Sequence, residues 1–194
     1  MRKHYELAHD LLKPLCALLY PRRKHVCPVL PEGPAIFCAN HSNYIDPVLL
    51  GLTVGKEHWL HFMAKAELSA SRLAATILKK VGVVFVRRGE NDIGAIRTTM
   101  SLLKDGEQVC IFPEGTRVDA PDAVAAKAGA VRIAMRLGVP IVPAFISRNK
   151  RIFRKVDVVV GEPYYLSAET DPQKQTEELM QRIESLNPER ERHA

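Results

Sequence analysis

From residue 34 onward, short uninterrupted apolar runs alternate with stretches whose apolar residues recur every three or four positions. The run from Pro34 to Asn40 reads as a strand, as do Trp59 to Ala64, Gly82 to Val86, Gln108 to Phe112, Ile141 to Ile146 and Val156 to Val160. The intervening segments carry helical spacing. Pro47 to Val54 predicts a short helix, Glu67 to Lys80 a longer one, and Asn91 to Lys104 a third with an Asn/Asp start and Gly106 as its stop. Asp122 to Leu137 predicts an alanine-rich helix ended by Gly138, and Pro172 to Leu186 an amphipathic one. Strands separated by helices of this length predict an α/β domain with a mixed, largely parallel central sheet flanked by helices, undivided by any repeat or linker.

Ahead of this region, HYELAHDLLKPLCALLY places Tyr5, Ala8, Leu11, Leu12, Leu15, Leu18 and Leu19 at helical spacing, with Pro14 as an expected break or kink. The basic cluster PRRKH, Pro21 to His25, follows at once. Two readings fit this pattern: a helix packed on its own domain, and an element lying in a membrane interface. For the second, a few buried leucines at roughly 1.5–3 kcal/mol each, with about 1 kcal/mol per Lys or Arg near an anionic surface, suffice for peripheral attachment. Residues 1–28 are accordingly set apart as an amphipathic, basic membrane-interface segment, and 29–194 as a single α/β domain.

Composition narrows the partners. A formal net charge of +6 and a pI near 9.2 favour an anionic surface or substrate. Aromatic residues make up only 6% of the chain and do not interleave with basic ones, so nucleic acid is set aside. No stretch approaches the roughly 20 apolar residues that span a bilayer. The four cysteines, Cys16, Cys27, Cys38 and Cys110, form no CxxC pair or zinc pattern, which suits a reducing compartment, free thiols and no structural metal.

Three strand ends carry polar sequences, and in open α/β sheets ligands bind at strand carboxyl ends. After PAIFCAN comes His41, with Asp46 five residues later and directly before Pro47. Asp-Pro is an ordinary helix start. One turn could also bring carboxylate and imidazole together as a general-base pair. After QVCIF comes FPEGTR, which offers turn chemistry and equally a carboxylate (Glu114), free backbone N–H groups at Gly115, a hydroxyl (Thr116) and a guanidinium (Arg117). After GVVFV come Arg87, Arg88 and Gly89, either surface charges or an anion clamp.

Together, NHSNYIDP, FVRRG, FPEGTR and VPIVPAF resemble, in order and separation, the four sequence blocks of the glycerolipid acyltransferases, typified by lysophosphatidate acyltransferase. The resemblance covers roughly residues 30 to 160. It implies that His41 is the general base and Asp46 its orienting partner. It assigns Arg88 to the acceptor's phosphate and Glu114, Gly115, Thr116 and Arg117 to acceptor binding. The fourth block, Val139 to Phe145, is expected to be mainly structural with a share in the acyl site. Arg87, Asn40 and the Lys127 of a K-x-G segment are further candidates. Two positions depart from the pattern: Ser42 and Asn43 stand in reverse of a common order, and Arg87 occupies a position where aspartate is common.

The expected reaction needs no cofactor and no metal. His41 takes the proton of the hydroxyl of 1-acyl-glycerol 3-phosphate, whose oxygen attacks an acyl thioester, with acyl-CoA or acyl carrier protein as donor and phosphatidic acid as product. Backbone N–H groups at the start of the following helix are expected to stabilise the oxyanion. No G-x-S-x-G or Cys-His arrangement supports an acyl-enzyme. The implied partners are a lysophospholipid, an acyl thioester, the anionic inner face of the cell membrane and, for one donor, acyl carrier protein. The expected location is cytoplasmic and peripheral on that membrane. Alternatives are another acceptor, such as glycerol 3-phosphate or another lysolipid, and a lipid-binding protein without catalysis.

Overall fold

A computed structural model describes residues 2–66, 71–86, 93–118, 120 and 124–191. Its elements run α1 (Arg2–Leu19), β1 (Arg22–Val26), β2 (Ala35–Ala39), α2 (Asp46–Val54), β3 (Leu60–Lys65), α3 (Arg72–Lys80), β4 (Val84–Val86), α4 (Ile93–Lys104), β5 (Gln108–Ile111), α5 (Gly129–Leu137), β6 (Ile141–Ile146), β7 (Val156–Val160), α6 (Pro172–Ser185) and α7 (Pro188–Glu191). The strands form a seven-stranded sheet in the order β1-β7-β6-β2-β5-β3-β4. All pairings are parallel except β6 with β7. This is the mixed, largely parallel sheet the sequence predicts.

The central strands are apolar throughout because both faces are covered. On β2, Ala35, Phe37 and Ala39 face one layer, where Leu49, Leu50 and Val54 of α2 close the core. Ile36 and Cys38 face the other, against Leu103 of α4, Val131 of α5 and Leu179 and Ile183 of α6. β2 therefore sits fully buried at the centre, between β5 and β6. The chain leaves these three adjacent parallel strands at the same edge, which brings three loops together.

Several expectations need correction. PRRKH is not a loose basic segment: Arg22–Val26 is a strand paired in parallel with β7. Arg23 donates to both oxygens of buried Asp157 at 2.6 and 2.7 Å, which pairs one charge of the expected surface cluster with a carboxylate of its own domain. The packing therefore does not divide at residue 28. α1 continues through Pro14 without a break; the carbonyl freed by proline belongs to Asp10, which is exposed, so water can satisfy it. α5 starts at Gly129, later than the alanine-rich pattern suggests, because Lys127 N–H donates to the Pro113 carbonyl at 2.8 Å and ties that stretch to the loop after β5.

α1 packs on α2 and α3, and its buried residues are Tyr5, His9 and Cys16. Leu7, Leu11, Leu15 and Leu18 point outward and are exposed. The helix thus packs on its own domain through one face and leaves an apolar face exposed. Among the described residues no helix is long and apolar enough to cross a membrane.

Candidate active site

The site begins at the end of β2. Asn40 is fully buried, and its amide donates to the Ile146 carbonyl at 2.8 Å while its carbonyl accepts from Ile146 N–H at 2.8 Å. It acts as a last rung between β2 and β6 and fixes the point from which His41 emerges. Its sequence-stated candidacy for substrate contact finds both ends of its side chain engaged by protein. Asn40→Ala leaves two buried backbone groups unpaired and is expected to cost about 2–4 kcal/mol, read by chemical denaturation.

His41 then turns toward Asp46, with Nδ1 2.9 Å from Oδ2. The same carboxylate oxygen accepts from the N–H groups of Ser42 (2.8 Å) and Asn43 (2.7 Å). Asp46 lies in the first turn of α2 with Pro47 beside it, so a helix does start here, but Ile45 holds the N-cap position without a side-chain cap and the Asp46 carboxylate reaches backward. Burial alone would raise its pKa. The hydrogen bond from His41, the charge of Lys150 and the N–H of Asn43 outweigh burial and hold it below the ordinary carboxylate range. An ionised Asp46 only accepts, so Nδ1 carries the proton and Nε2 is the nitrogen left to take one. The His41 ring stacks on Phe112, with centroids 4.2 Å apart.

Glu114, from the loop after β5, does not reach outward. It is 2% exposed, and Oε2 accepts from the backbone N–H of His41 at 2.6 Å. Oε1 accepts from both terminal nitrogens of Arg148 at 3.2 Å. Arg148 also donates to Glu184 of α6 and to the Val118 carbonyl. Burial pushes the Glu114 carboxyl above its ordinary range, with His41 N–H and Arg148 opposing. Both oxygens assigned to acceptor binding are therefore turned to protein, and the position holds the backbone of His41.

Gly115 has a φ of +67°, a left-handed conformation that favours glycine, and a Cβ there would sit 3.3 Å from the Lys127 side chain. The FPEGTR and K-x-G segments thus pack across one another. Thr116 is exposed. Arg117 is exposed and lies over the ring of Tyr44, 3.6 Å from its centroid. Arg87 and Arg88 lie outside the described residues.

His41, Tyr44, Phe112 and Arg117 border a cavity of about 660 Å³ whose remaining wall is almost wholly apolar. α1 contributes Leu12, α2 Val48 and Leu52, β3 Phe62, and α3 Ile77 and Leu78. The fourth block takes no part: β6 is buried along its whole length, beside β2, and none of its residues lines this space. Of the backbone N–H groups between His41 and α2, those of Ser42, Asn43, Ile45 and Asp46 are bonded to Asp46, Asp46, Asn43 and Asn43 in turn, which removes these four from the expected oxyanion donors. Cys38 and Cys110 are fully buried and their thiols are pushed up by burial, which makes them poor nucleophiles.

Sequence reasoning missed Arg148 and Lys150, which follow β6 and turn inward. Their one signal was a pair of basic residues directly after a buried strand.

The acyltransferase family model matches residues 22–147. The 1-acyl-sn-glycerol-3-phosphate acyltransferase of Bacillus subtilis is 35% identical over 162 residues, spanning 78% of this chain and 80% of the relative. The lyso-ornithine lipid O-acyltransferase of Pseudomonas aeruginosa is 34% identical over 137 residues, 70% of this chain and 51% of the relative. In the crystal structure of the 1-acyl-sn-glycerophosphate acyltransferase of Thermotoga maritima the same fold recurs, with a TM-score of 0.70, 24% identity, and coverage of 95% of this chain and 79% of that one.

Proposed function

Because this chain belongs to the acyltransferase family, we propose that it is the enzyme that acylates the free hydroxyl of 1-acyl-glycerol 3-phosphate from an acyl thioester, yielding phosphatidic acid and free thiol. The observation that carries this reading is a histidine whose Nδ1 is committed to a buried carboxylate, set at the border of a 660 Å³ apolar cavity. A cavity of that size and lining fits an acyl chain. The ring stands where such a chain would end in its reacting group.

In the proposed reaction Nε2 of His41 takes the acceptor's hydroxyl proton, and Asp46 stabilises the resulting imidazolium through Nδ1. The acceptor oxygen attacks the thioester carbonyl, the carbon–sulfur bond breaks on collapse of the tetrahedral intermediate, and the proton passes to the departing thiolate. Arg117, at the cavity rim, supports a phosphate-bearing acceptor, since its guanidinium suits phosphate bidentately. The role of Arg88 stays with the sequence resemblance.

The acceptor is tested by thiol release from an acyl thioester, with purified protein and lysophosphatidate, glycerol 3-phosphate or lysophosphatidylcholine in vesicles. Release that depends on lysophosphatidate is the expected result. Release with another acceptor alone would overturn that assignment while keeping the reaction, a reading that the lyso-ornithine lipid acyltransferase keeps in view. Release with none of them, from folded protein that still binds vesicles, would favour a lipid-binding protein. Acyl-CoA and acyl carrier protein, compared as donors, settle the thioester.

A long-chain acceptor resides in a bilayer, so the enzyme must meet it there. The outward leucines of α1 supply the contact and the net charge of +6 supplies the attraction to an anionic leaflet. Deleting residues 1–25 would also remove most of β1, so point changes are the cleaner test. Leu11→Asp with Leu18→Asp is expected to weaken binding to anionic vesicles at least tenfold, at about 1.5–3 kcal/mol per leucine, without lowering the melting temperature. Unchanged sedimentation with vesicles would remove α1 from the contact.

A further inference from the structure

The loop between β6 and β7 sends two cations inward, one to each carboxylate behind His41. Arg148 meets Glu114, as described above. Lys150 lies with its Nζ 2.9 Å from Asp46 Oδ1, and both side chains are 0% exposed. Its ammonium also donates to Ser42 Oγ at 2.7 Å and to the Ser147 carbonyl. The two oxygens of Asp46 thus have separate duties: Oδ2 takes His41 Nδ1 and two backbone N–H groups, and Oδ1 takes Lys150.

Removing an ammonium from water is costly unless good partners offset it, and here Asp46 is the charged partner that does so. A buried, ionised Asp46 with no cation behind it would favour a protonated imidazole, and a protonated His41 cannot act as a base. A charge on the far oxygen opposes that pull while keeping the carboxylate ionised. The other titratable groups around the site have partners of their own, and His9 of α1, which lines the same cavity, sits with Nδ1 3.4 Å from Asp10. Glu114 pairs with Arg148, which also pairs with Glu184, and Arg117 stacks on Tyr44 at the cavity rim.

We propose that Lys150 is a positioning residue of the acyl-transfer site: from the far oxygen it fixes Asp46 toward His41 and offsets part of the carboxylate's pull on a ring proton. Lys150 lies beyond residues 22–147, the stretch that the family model matches, and in none of the four sequence blocks. The proposal rests on His41 being the base.

The test is Lys150→Met, read in two ways. In nitrogen-15 imidazole NMR without substrate, the pH at which His41 takes up its proton is expected to move upward by about one unit. In the thiol-release assay, the acid limb of kcat/KM should move with it and kcat at pH 7 should fall about tenfold, with little change in KM for either substrate. Lys150→Arg keeps the charge and should hold the limb near its original pH, although its planar fork will not reproduce the lysine geometry. An unmoved His41 titration in folded Lys150→Met overturns the proposal, whatever happens to activity.

Should Lys150→Met fail to fold, the neutral pair Asp46→Asn/Lys150→Met decides instead. If Lys150 acts through Asp46, the pair loses no more activity than Asp46→Asn alone. A further tenfold loss would overturn the assignment. Because the NMR titration uses no substrate, an absence of acyl transfer to any acceptor would count against the proposed function while the role of Lys150 is still decided.

Discussion

Replacing His41 with alanine is expected to lower acyl transfer by about 10²–10⁴-fold, the usual span of a general base, while leaving the fold in place. The fold should survive because alanine keeps the backbone N–H that donates to Glu114 and the carbonyl that accepts from Val118 N–H at 2.8 Å. Asp46 keeps the N–H groups of Ser42 and Asn43 and the ammonium of Lys150, so no buried charge is left alone. What is lost is one ring stacked on Phe112 at the cavity border, a site at which solvent or substrate can fill the gap. Thiol release, vesicle binding and a thermal melt should be measured on the same preparation. Lost turnover with vesicle binding and melting temperature nearly intact is the expected outcome. Turnover within a few fold of the parent would remove His41 from the chemistry and return the Asp46-Pro47 pair to an ordinary helix start.

Part of the molecule is legible in the sequence for a physical reason. β2, β5 and β6 are strands whose two faces are both covered, so their apolar runs could hardly read as anything else. His41 and Asp46 lie within one turn of chain, and local spacing could therefore bring them together. β1 was hidden because RRKHV is an edge strand whose outward residues are polar, and its pairing to β7 spans more than 130 residues. α1 was half legible: periodicity identified a helix, but a helix apolar on two sides gives no sign of which side turns inward.

The partners of the site were hidden for a different reason. Glu114 meets His41 because β2 and β5 are neighbours, and Lys150 meets Asp46 because β6 lies on the other side of β2. Strand order is set by the packing of the whole sheet and leaves no mark on the spacing within a loop. FPEGTR accordingly looked like a ligand-binding turn whose carboxylate was available, whereas the sheet turns that carboxylate back onto the backbone of the neighbouring loop.

This placement makes Glu114 the second decisive position. Glu114→Ala removes the acceptor for a buried N–H of His41 and one of the two carboxylates held by Arg148. An unpaired buried donor costs about 1–3 kcal/mol, and the half-paired guanidinium adds to it. A total of about 3 kcal/mol corresponds to a fall in melting temperature of roughly 6–12 °C for a chain of this size. The backbone that carries His41 is then free to shift, and kcat should fall by at least tenfold with little change in KM for the acceptor. Glu114→Gln separates charge from shape. Its amide oxygen can still accept from His41 N–H, but its NH2 then stands where Oε1 accepted from Arg148, so the hold on His41 is kept and the pairing with the guanidinium is lost. The glutamine variant should therefore melt between the parent and Glu114→Ala and retain much of kcat. Were Glu114 instead a ligand of the acceptor, both variants would raise KM for lysophosphatidate while melting close to the parent, and the glutamate would return to the role its motif suggests.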